Sequence, residues 1–150
     1  MASLKFLMWN CGGLTTTNVS QAKSMFFEKN FNTSFDAAFF VETHHTSDTD
    51  IPQELLRYQN THTMVHSFAT LEKRYTGILG LIHNDFDIVC VKNPIQGRIM
   101  NIKMKHVPTN TLYNLSVIYM YTNKNITKKK IEDVTEKLRE EVEDHPNNMI

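Results

Sequence analysis

The 150-residue sequence predicts a layered α/β domain built on a mixed, mostly antiparallel sheet. Two observations support this fold class. The first 41 residues read as strand, helix and strand, and five strand-length runs follow between residues 63 and 119, separated by turn residues. A final amphipathic segment reads as another helix. A β-α-β start followed by a meander and a helix is typical of α/β layers around one core, and the length suits a single domain.

The opening β-α-β unit has clear boundaries. Residues 4–10 read as a buried strand that runs into Gly12-Gly13, and residues 37–41 as a central strand that is apolar on both faces. Between them, Asn18 is the predicted N-cap of a helix, with Gln21 completing a capping-box pattern. The predicted apolar face of that helix is Val19, Ala22, Phe26 and Phe27, and residues 32–34 close it.

The remaining elements follow a polar loop that starts at Glu42. A short helical segment is predicted over residues 51–58. The predicted strands are 63–68, 77–83, 88–93, 98–104 and 113–119. A helix capped by Thr127 follows, with an apolar stripe of Ile131, Val134, Leu138 and Val142, a stop at His145-Pro146, and the start of another strand at Met149-Ile150.

Composition limits the partners of the chain. Sixteen basic residues balance sixteen acidic ones, so a nucleic acid would have to be recognised by a local patch. No apolar run approaches the roughly 20 residues of a membrane span, and no signal peptide is recognisable, so we expect no membrane association. Cys11 and Cys90 lie in strand-like segments, which favours reduced thiols and an intracellular location.

Three predicted strands end in polar side chains that can form one site. Glu42 follows a central apolar strand, where open α/β sheets place their ligands, and Asn10 ends the first strand. Tyr119 ends the last strand of the meander. A solvated acid that caps its loop is one interpretation of Glu42, and a carboxylate ligand for Mg²⁺ is the other. The convergence of strand ends favours a shared polar site.

Other motifs are weaker candidates for a metal, catalytic or phosphate-binding site. His62 and His66 lie four residues apart in a strand, about 13 Å along it, which does not suit zinc, and the loop pair His44-His45 reads as solvated or as lining the site. No base that would activate Cys11 as a nucleophile is recognisable, and the two glycines after it match no phosphate-binding motif. The run 128–130 reads as a solvated basic face, with a phosphate-facing patch as the alternative.

Several segments together resemble the endonuclease/exonuclease/phosphatase superfamily, in particular the endonucleases of LINE-type retrotransposons. "WNCGGL" resembles the first-strand motif of that group, and "FFVETHHT" is similar to its glutamate-containing segment. "YTGILGLIHND", "QGRIMNIKM" and "VIYMYTNKN" resemble three later strands in the same order. The resemblance runs in register from residue 4 to residue 150.

The resemblance implies a role for each of the three strand-end residues. Glu42 would bind Mg²⁺, with Mn²⁺ as a substitute, Tyr119 would contact the scissile phosphate, and Asn10 would orient the active-site groups. The implied reaction is metal-assisted hydrolysis of a DNA phosphodiester by in-line attack of water. The nick would carry a 3′-hydroxyl that primes a reverse transcriptase in the same polyprotein, which implies DNA as partner and the nucleus as location.

Two departures from the family pattern shape these expectations. Tyr121 stands where proline is usual, and the motifs G-D-x-N and S-D-H, with the Asp between them, do not occur. Residues 1–150 therefore look like the N-terminal half of one domain, inactive alone, as a fragment or a decayed copy. The alternatives are a non-catalytic binding module that self-associates through an exposed sheet edge, and a superfamily phosphatase acting on a phosphoinositide, sphingomyelin or an RNA tail.

Overall fold

Two β-sheets and the helices around them make up the part of the chain that the computed structural model describes, residues 3–17, 20–31, 34–120 and 128–144. The strands are β1 (Phe6–Asn10), β2 (Ala37–Val41), β3 (His62–Ser67), β4 (Ile78–His83), β5 (Phe86–Ile95), β6 (Ile99–His106) and β7 (Thr111–Ile118). The helices are α1 (Gln21–Asn30), α2 (Gln53–Leu56) and α3 (Lys128–Asp144). The predicted order of elements is confirmed, with boundaries that shift by a few residues.

The first sheet has the strand order β1-β2-β4-β3. Strand β1 pairs with β2 in parallel, as the β-α-β connection predicts, and β4 pairs antiparallel with both β2 and β3. All five residues of β2 are buried, which confirms it as a central strand covered on both faces. The carboxyl ends of β1 and β2 therefore lie side by side, and each continues into a loop at the same edge of the sheet.

The second sheet holds three of the five strands of the predicted meander, in the order β5-β6-β7 with antiparallel pairing throughout. The other two, β3 and β4, pair with each other as predicted but belong to the first sheet, because β4 also pairs with β2. The register of β5 against β6 shifts twice, between Ile88 and Cys90 and between Lys92 and Ile95. Such bulges increase the local twist of a strand pair. Pairing of β6 with β7 ends at Ile99 opposite Ile118, one residue before Tyr119.

Two apolar layers hold the sheets in place. The layer between the sheets includes Phe39, Ile78, Met100, Ile102 and Val117. The layer on the other face of the first sheet is strongly aromatic and packs α1 and α2 against it. Its rings include Phe27, Phe31 and Phe40 with Trp9 against them. Each such buried side chain contributes about 1.5–3 kcal/mol, which makes the helix–sheet–sheet arrangement stable.

Helix α1 starts later than the sequence predicts. Ser20 is its N-cap and accepts a hydrogen bond from the Lys23 N–H at 3.2 Å, whereas the predicted cap Asn18 and its neighbour Val19 lie outside the described residues. Phe27 is buried as predicted, but Phe26 is 44% exposed and packs over Trp9 with 4.7 Å between ring centroids. The helix ends at Asn30, with Phe31 as C-cap.

The predicted apolar stripe of helix α3 is buried only in part. Val134 is buried, but Ile131 is 42% exposed. Lys128 is solvent-exposed and pairs with Glu132 at 3.7 Å, which fits the solvated interpretation of the basic run. The predicted features Tyr121, Thr127, His145-Pro146 and Met149-Ile150 lie outside the described residues.

One side of the two-sheet stack is open in the described part of the chain. Strands β1 and β7 are the edge strands there, and a cavity of about 360 Å³ lies between them. Phe6, Met8 and Phe39 line it from the first sheet, and Leu115 and Val117 line it from the second. The side chain of Met8 is 60% exposed, so apolar surface is accessible along this edge.

Within the described residues, no helix has the length and apolar character that crossing a bilayer requires.

Candidate active site

Glu42 lies directly after β2, at the carboxyl end of the central strand. Its backbone has a φ of 58°, in the left-handed region that residues other than glycine rarely adopt. Its side chain is 27% exposed, which leaves the carboxylate accessible from solvent but partly enclosed. The strand end therefore presents an acid through a strained backbone, a feature that clusters at functional sites.

Tyr119, which follows a strand of the second sheet, contacts Glu42, which follows a strand of the first. Its hydroxyl donates a hydrogen bond to Glu42 Oε2 at 3.2 Å, although the two residues are 77 positions apart. Tyr119 follows β7 of the second sheet and is only 9% exposed. Two of the three predicted site residues are thus joined by one hydrogen bond.

Asn10 ends β1 opposite Val41, one residue before Glu42 on the neighbouring strand. Its Oδ1 accepts a hydrogen bond from the Gly12 N–H at 3.3 Å, which is the turn-forming interaction of an Asx residue. Among the described residues, no hydrogen bond links its side chain to Glu42. Asn10 therefore lies at the same edge of the sheet as Glu42, and its side chain is engaged in the turn.

His44, which the sequence predicts to be solvated or to line the site, is a neighbour of Glu42. Its Nε2 lies 3.7 Å from Glu42 Oε1, and its own φ is 63°. Glu42 and His44, both with left-handed backbone, thus flank Thr43. Their side chains form one polar cluster with that of Tyr119. The pattern E-x-H after a buried strand was visible in the sequence, but the backbone conformation that brings the imidazole back to the carboxylate was not.

The loops after β1 and β2 are held together by backbone hydrogen bonds. Gly13 N–H donates to the carbonyl of Glu42 at 2.6 Å, and Leu14 N–H to that of Thr43 at 2.8 Å. Gly12 and Gly13 have φ values of 54° and 96°, which explains the double glycine. Their carbonyls accept from Lys23 Nζ at 2.6 and 2.7 Å, so a lysine of α1 clamps this loop.

A third loop braces Glu42 from the other side. The N–H of Thr43 donates to the carbonyl of Gly77 at 3.2 Å, and that of His44 to the carbonyl of Thr76 at 2.8 Å. Gly77 has a φ of 113°, and a Cβ there would collide with the Thr43 hydroxyl. Only glycine allows this close approach of the two backbones.

Cys11 is part of this loop, but it is not a nucleophile. Its thiol is buried and donates to the carbonyl of Val41 at 3.2 Å. Burial raises the pKa of Cys11 to about 12, so the reactive thiolate is not formed near neutral pH. Burial is confirmed for Cys11, whereas Cys90, which was predicted to be buried as well, is only partly buried on β5.

An open groove of about 570 Å³ starts beside the cluster. His44 lines it and so connects it with Glu42, while Arg74 and Tyr75 supply a cation and an aromatic ring. The other residues that line it are Thr15, Thr17, Thr46, Asp50 and Leu71. The groove combines hydroxyl, cationic and aromatic groups, which suits a polar ligand with a planar part.

Behind the site, a hydrogen-bonded chain runs from Thr43 through His45 to His66. The Thr43 hydroxyl is bonded to His45 Nδ1, and His45 Nε2 lies 3.0 Å from His66 Nδ1. Burial, helped by the neighbouring His66, lowers the pKa of His45 to about 4, and burial also lowers the pKa of His66. Both rings are therefore neutral at pH 7.

His62 and His66, which lie four residues apart in the sequence, do not form a metal site. His62 Nε2 lies 3.1 Å from the carbonyl oxygen of Phe35, and its Nδ1 lies 2.8 Å from the Thr61 hydroxyl. In the described part of the chain, no three His, Cys, Asp or Glu side chains are grouped to hold a metal ion. These imidazoles serve the packing of the fold.

Comparison with known proteins gives matches in structure rather than in sequence. No protein-family model and no curated protein matches the chain. A truncated TDP2 from Caenorhabditis elegans is similar, with a TM-score of 0.67, 15% identity, and coverage of 97% of this chain and 58% of the other. The AP endonuclease LMAP from Leishmania major gives 0.60 and 15%, with coverage of 91% and 47%.

A third similar structure is an endonuclease/exonuclease/phosphatase family protein from Bacteroides thetaiotaomicron, with a TM-score of 0.63 and 14% identity. The match covers 97% of this chain and 60% of that one. The chain has the fold of the endonuclease/exonuclease/phosphatase superfamily, and it spans about half the length of the structures it matches. The predicted fold class is confirmed.

Proposed function

We propose that this chain, built on the fold of the endonuclease/exonuclease/phosphatase superfamily, is the N-terminal part of a Mg²⁺-dependent endonuclease that nicks DNA. The hydrogen bond from the Tyr119 hydroxyl to Glu42 Oε2 is the observation that carries the proposal. It joins an acid at one sheet edge to a neutral hydroxyl donor of the other sheet, beside an open groove. A carboxylate and a donor side by side suit the binding of a metal ion and a phosphate at adjacent positions.

The donor set around Glu42 suits Mg²⁺. This ion binds proteins through one or two carboxylates and fills its other positions with water and substrate phosphates. Glu42 supplies one hard, partly exposed carboxylate, and Mn²⁺ accepts the same ligand type. When bound, the metal would stabilise the negative charge that develops on the phosphate and on the leaving oxygen.

The other residues have roles that follow from their chemistry. Tyr119 has one hydroxyl proton, which it donates to Glu42; when a metal ion engages that carboxylate, we assign the same proton to a phosphate oxygen. We assign Asn10 to orienting the groups at the neighbouring strand end. Arg74 and Tyr75 in the groove suit the adjoining nucleotide, since a cation pairs with phosphate and a ring stacks on a base.

The finer parts of the proposal concern the biological context. The resemblance of the motifs to LINE-type endonucleases favours a nick whose 3′-hydroxyl primes reverse transcription, a reverse transcriptase in the same polyprotein, and a nuclear location. The chain contains no G-D-x-N or S-D-H motif, and a proton acceptor for the attacking water is needed. We therefore expect the 150 residues alone to be inactive.

Nicking of a supercoiled plasmid tests this proposal. The 150-residue chain and a version extended by about 100 residues of its own reading frame, which reaches an ordinary domain size, would be compared. We expect the extended protein to convert the plasmid to the open circle in Mg²⁺ and not in a chelator, and the shorter chain to cut far less. An extended protein that neither binds nor cuts DNA contradicts the proposal. Phosphate release from small phosphomonoesters in a parallel assay would favour the phosphatase alternative.

A second candidate function is supported by the open edge of β1. Its exposed Met8 and the apolar cavity between β1 and β7 suit a non-catalytic module that pairs with another chain. Sedimentation equilibrium should then show reversible association that Met8→Lys weakens, because a charged edge residue opposes strand pairing. Met25→Lys is the matched control, since Met25 is 64% exposed on α1, which packs on a face of the first sheet and does not extend its strand pairing. A monomer at every concentration would contradict this second candidate.

A further inference from the structure

Arg98 is a buried cation held between two aromatic rings. It is only 4% exposed and immediately precedes β6. Its Cζ lies 5.1 Å from the ring centroid of Tyr119 and 5.6 Å from that of Tyr75. A guanidinium stacked on a ring restrains the plane of that ring, and the attraction is stronger where water is excluded.

Arg98 also holds the backbone of Tyr119. The β6–β7 ladder ends at Ile99 opposite Ile118. One residue further, the Tyr119 N–H donates to the Arg98 carbonyl at 2.7 Å, and Arg98 Nη1 donates to the Tyr119 carbonyl at 3.2 Å. The side chain of Arg98 thus satisfies a carbonyl that lies beyond the regular pairing, so that one arginine restrains both the main chain and the ring of Tyr119.

The same segment is linked to the loop of Glu42. The N–H of Gly77 donates to the carbonyl of Gly97 at 3.0 Å, and the carbonyl of Gly77 accepts from the Thr43 N–H at 3.2 Å. Gly97, which precedes Arg98, is therefore linked through Gly77 to Thr43, which follows Glu42. Both partners of the Tyr119–Glu42 hydrogen bond are tied to one short stretch of chain around Arg98.

We infer that Arg98 is the positioning residue that sets the Tyr119 hydroxyl against Glu42. Arginine suits this task because its flat, delocalised head can stack on a ring while one nitrogen donates to a carbonyl, whereas the ammonium of lysine is a compact point charge. Its value for catalysis rests on the proposed role of Tyr119, but the arrangement itself is measurable without any substrate.

The test is a spectroscopic comparison in the 150-residue chain labelled with ¹³C at tyrosine Cζ, where Tyr119→Phe identifies the Tyr119 signal. The response is the change in that signal when Glu42→Gln is introduced, since the phenol carbon senses its hydroxyl hydrogen bond. We expect Arg98→Met to remove most of this response and Arg98→Lys to reduce it. Arg57→Met is the matched control, because Arg57 also stacks on two rings, Phe27 and Tyr58, but we expect the response there to be unchanged.

The outcomes separate positioning from a purely structural role. A folded Arg98→Met variant with the full response overturns the inference, because the arginine then anchors the fold without setting the hydroxyl. If Arg98→Met does not fold, Arg98→Lys decides: a reduced response supports the inference and an unchanged one overturns it. No DNA or metal is present, so a failure here leaves plasmid nicking, and with it the proposed function, to be judged separately.

Discussion

Glu42→Gln is expected to lower Mg²⁺-dependent plasmid nicking by the extended protein by about 10²–10³-fold, the size of effect seen when a single charge-stabilising group is removed from an active site. Glutamine keeps the length of the side chain and removes the charge that we assign to the metal. It also replaces the acceptor that Tyr119 uses. Initial nicking rates over a range of Mg²⁺ concentrations measure the effect.

Glu54→Gln is the matched control for this variant. Glu54 lies on α2 and accepts a hydrogen bond from the Ser24 hydroxyl at 2.6 Å, on the helical side of the first sheet. We expect its loss to leave nicking near the wild-type rate. Binding of DNA in a chelator should be similar for all three proteins, because the substitution at Glu42 acts on the metal-dependent step. Wild-type nicking with unchanged Mg²⁺ dependence in Glu42→Gln would contradict the assignment.

The second large effect is a loss of stability in acid, caused by the buried imidazoles behind the site. The pKa of His45 is lowered from 6.5 to about 4 by burial and by His66, with Asp50 acting in the opposite direction. The unfolded chain therefore takes up a proton at this position below about pH 6.5, and the folded chain only near pH 4. The free energy of unfolding falls as the pH drops through this window, by about 3 kcal/mol for His45 alone.

His66 and His62 add to the effect, because burial lowers the pKa of each. Asp48 opposes the shift of His66, and the carbonyl of Phe35 opposes that of His62. Since domains of this size are stable by only about 5–15 kcal/mol, the loss is a large part of the total. Urea unfolding at pH 7 and pH 4.5 measures it.

Variants at two histidines show whether His45 is the source. His45→Gln should be less stable at pH 7, because the link to His66 is weakened, but its stability should fall less between pH 7 and 4.5. His106→Gln is the control, since His106 lies on β6 of the second sheet, where its ring packs against Phe86, and we expect the stability of this variant to fall with pH in parallel with the wild type. Parallel loss of stability in wild type and His45→Gln would show that other groups govern the acid transition.

The elements of this fold were predictable because their signals are local. The buried strand Ala37–Val41 and the turns of the meander are written in short stretches of sequence, and so are the strand ends that carry Glu42 and Tyr119. From the sequence, these two side chains could be predicted only to lie at the same edge of the sheet. The hydrogen bond itself joins residues 77 positions apart, and no periodicity encodes such a distance.

What the sequence did not predict depends on backbone conformation and on long-range packing. The left-handed backbone of Glu42 and His44 has no signal in residue type, since glycine or asparagine would be expected there. The pairing of His45 with His66 and the stacking of Arg98 between two tyrosines arise only when separate loops meet. For Asn10, the sequence allowed a turn or a site residue; its hydrogen bond to Gly12 forms the turn, and its role at the site stays a prediction.

The left-handed backbone at Glu42 has a consequence for how this sequence changes over generations. A glutamate in that conformation costs the fold about 1 kcal/mol relative to glycine. Mutation under selection for folding alone would therefore drift towards glycine, asparagine or aspartate at position 42. A glutamate is therefore expected to persist there only where its carboxylate is itself selected. Where the proposed site is not used, we expect this position to be among the earliest to change.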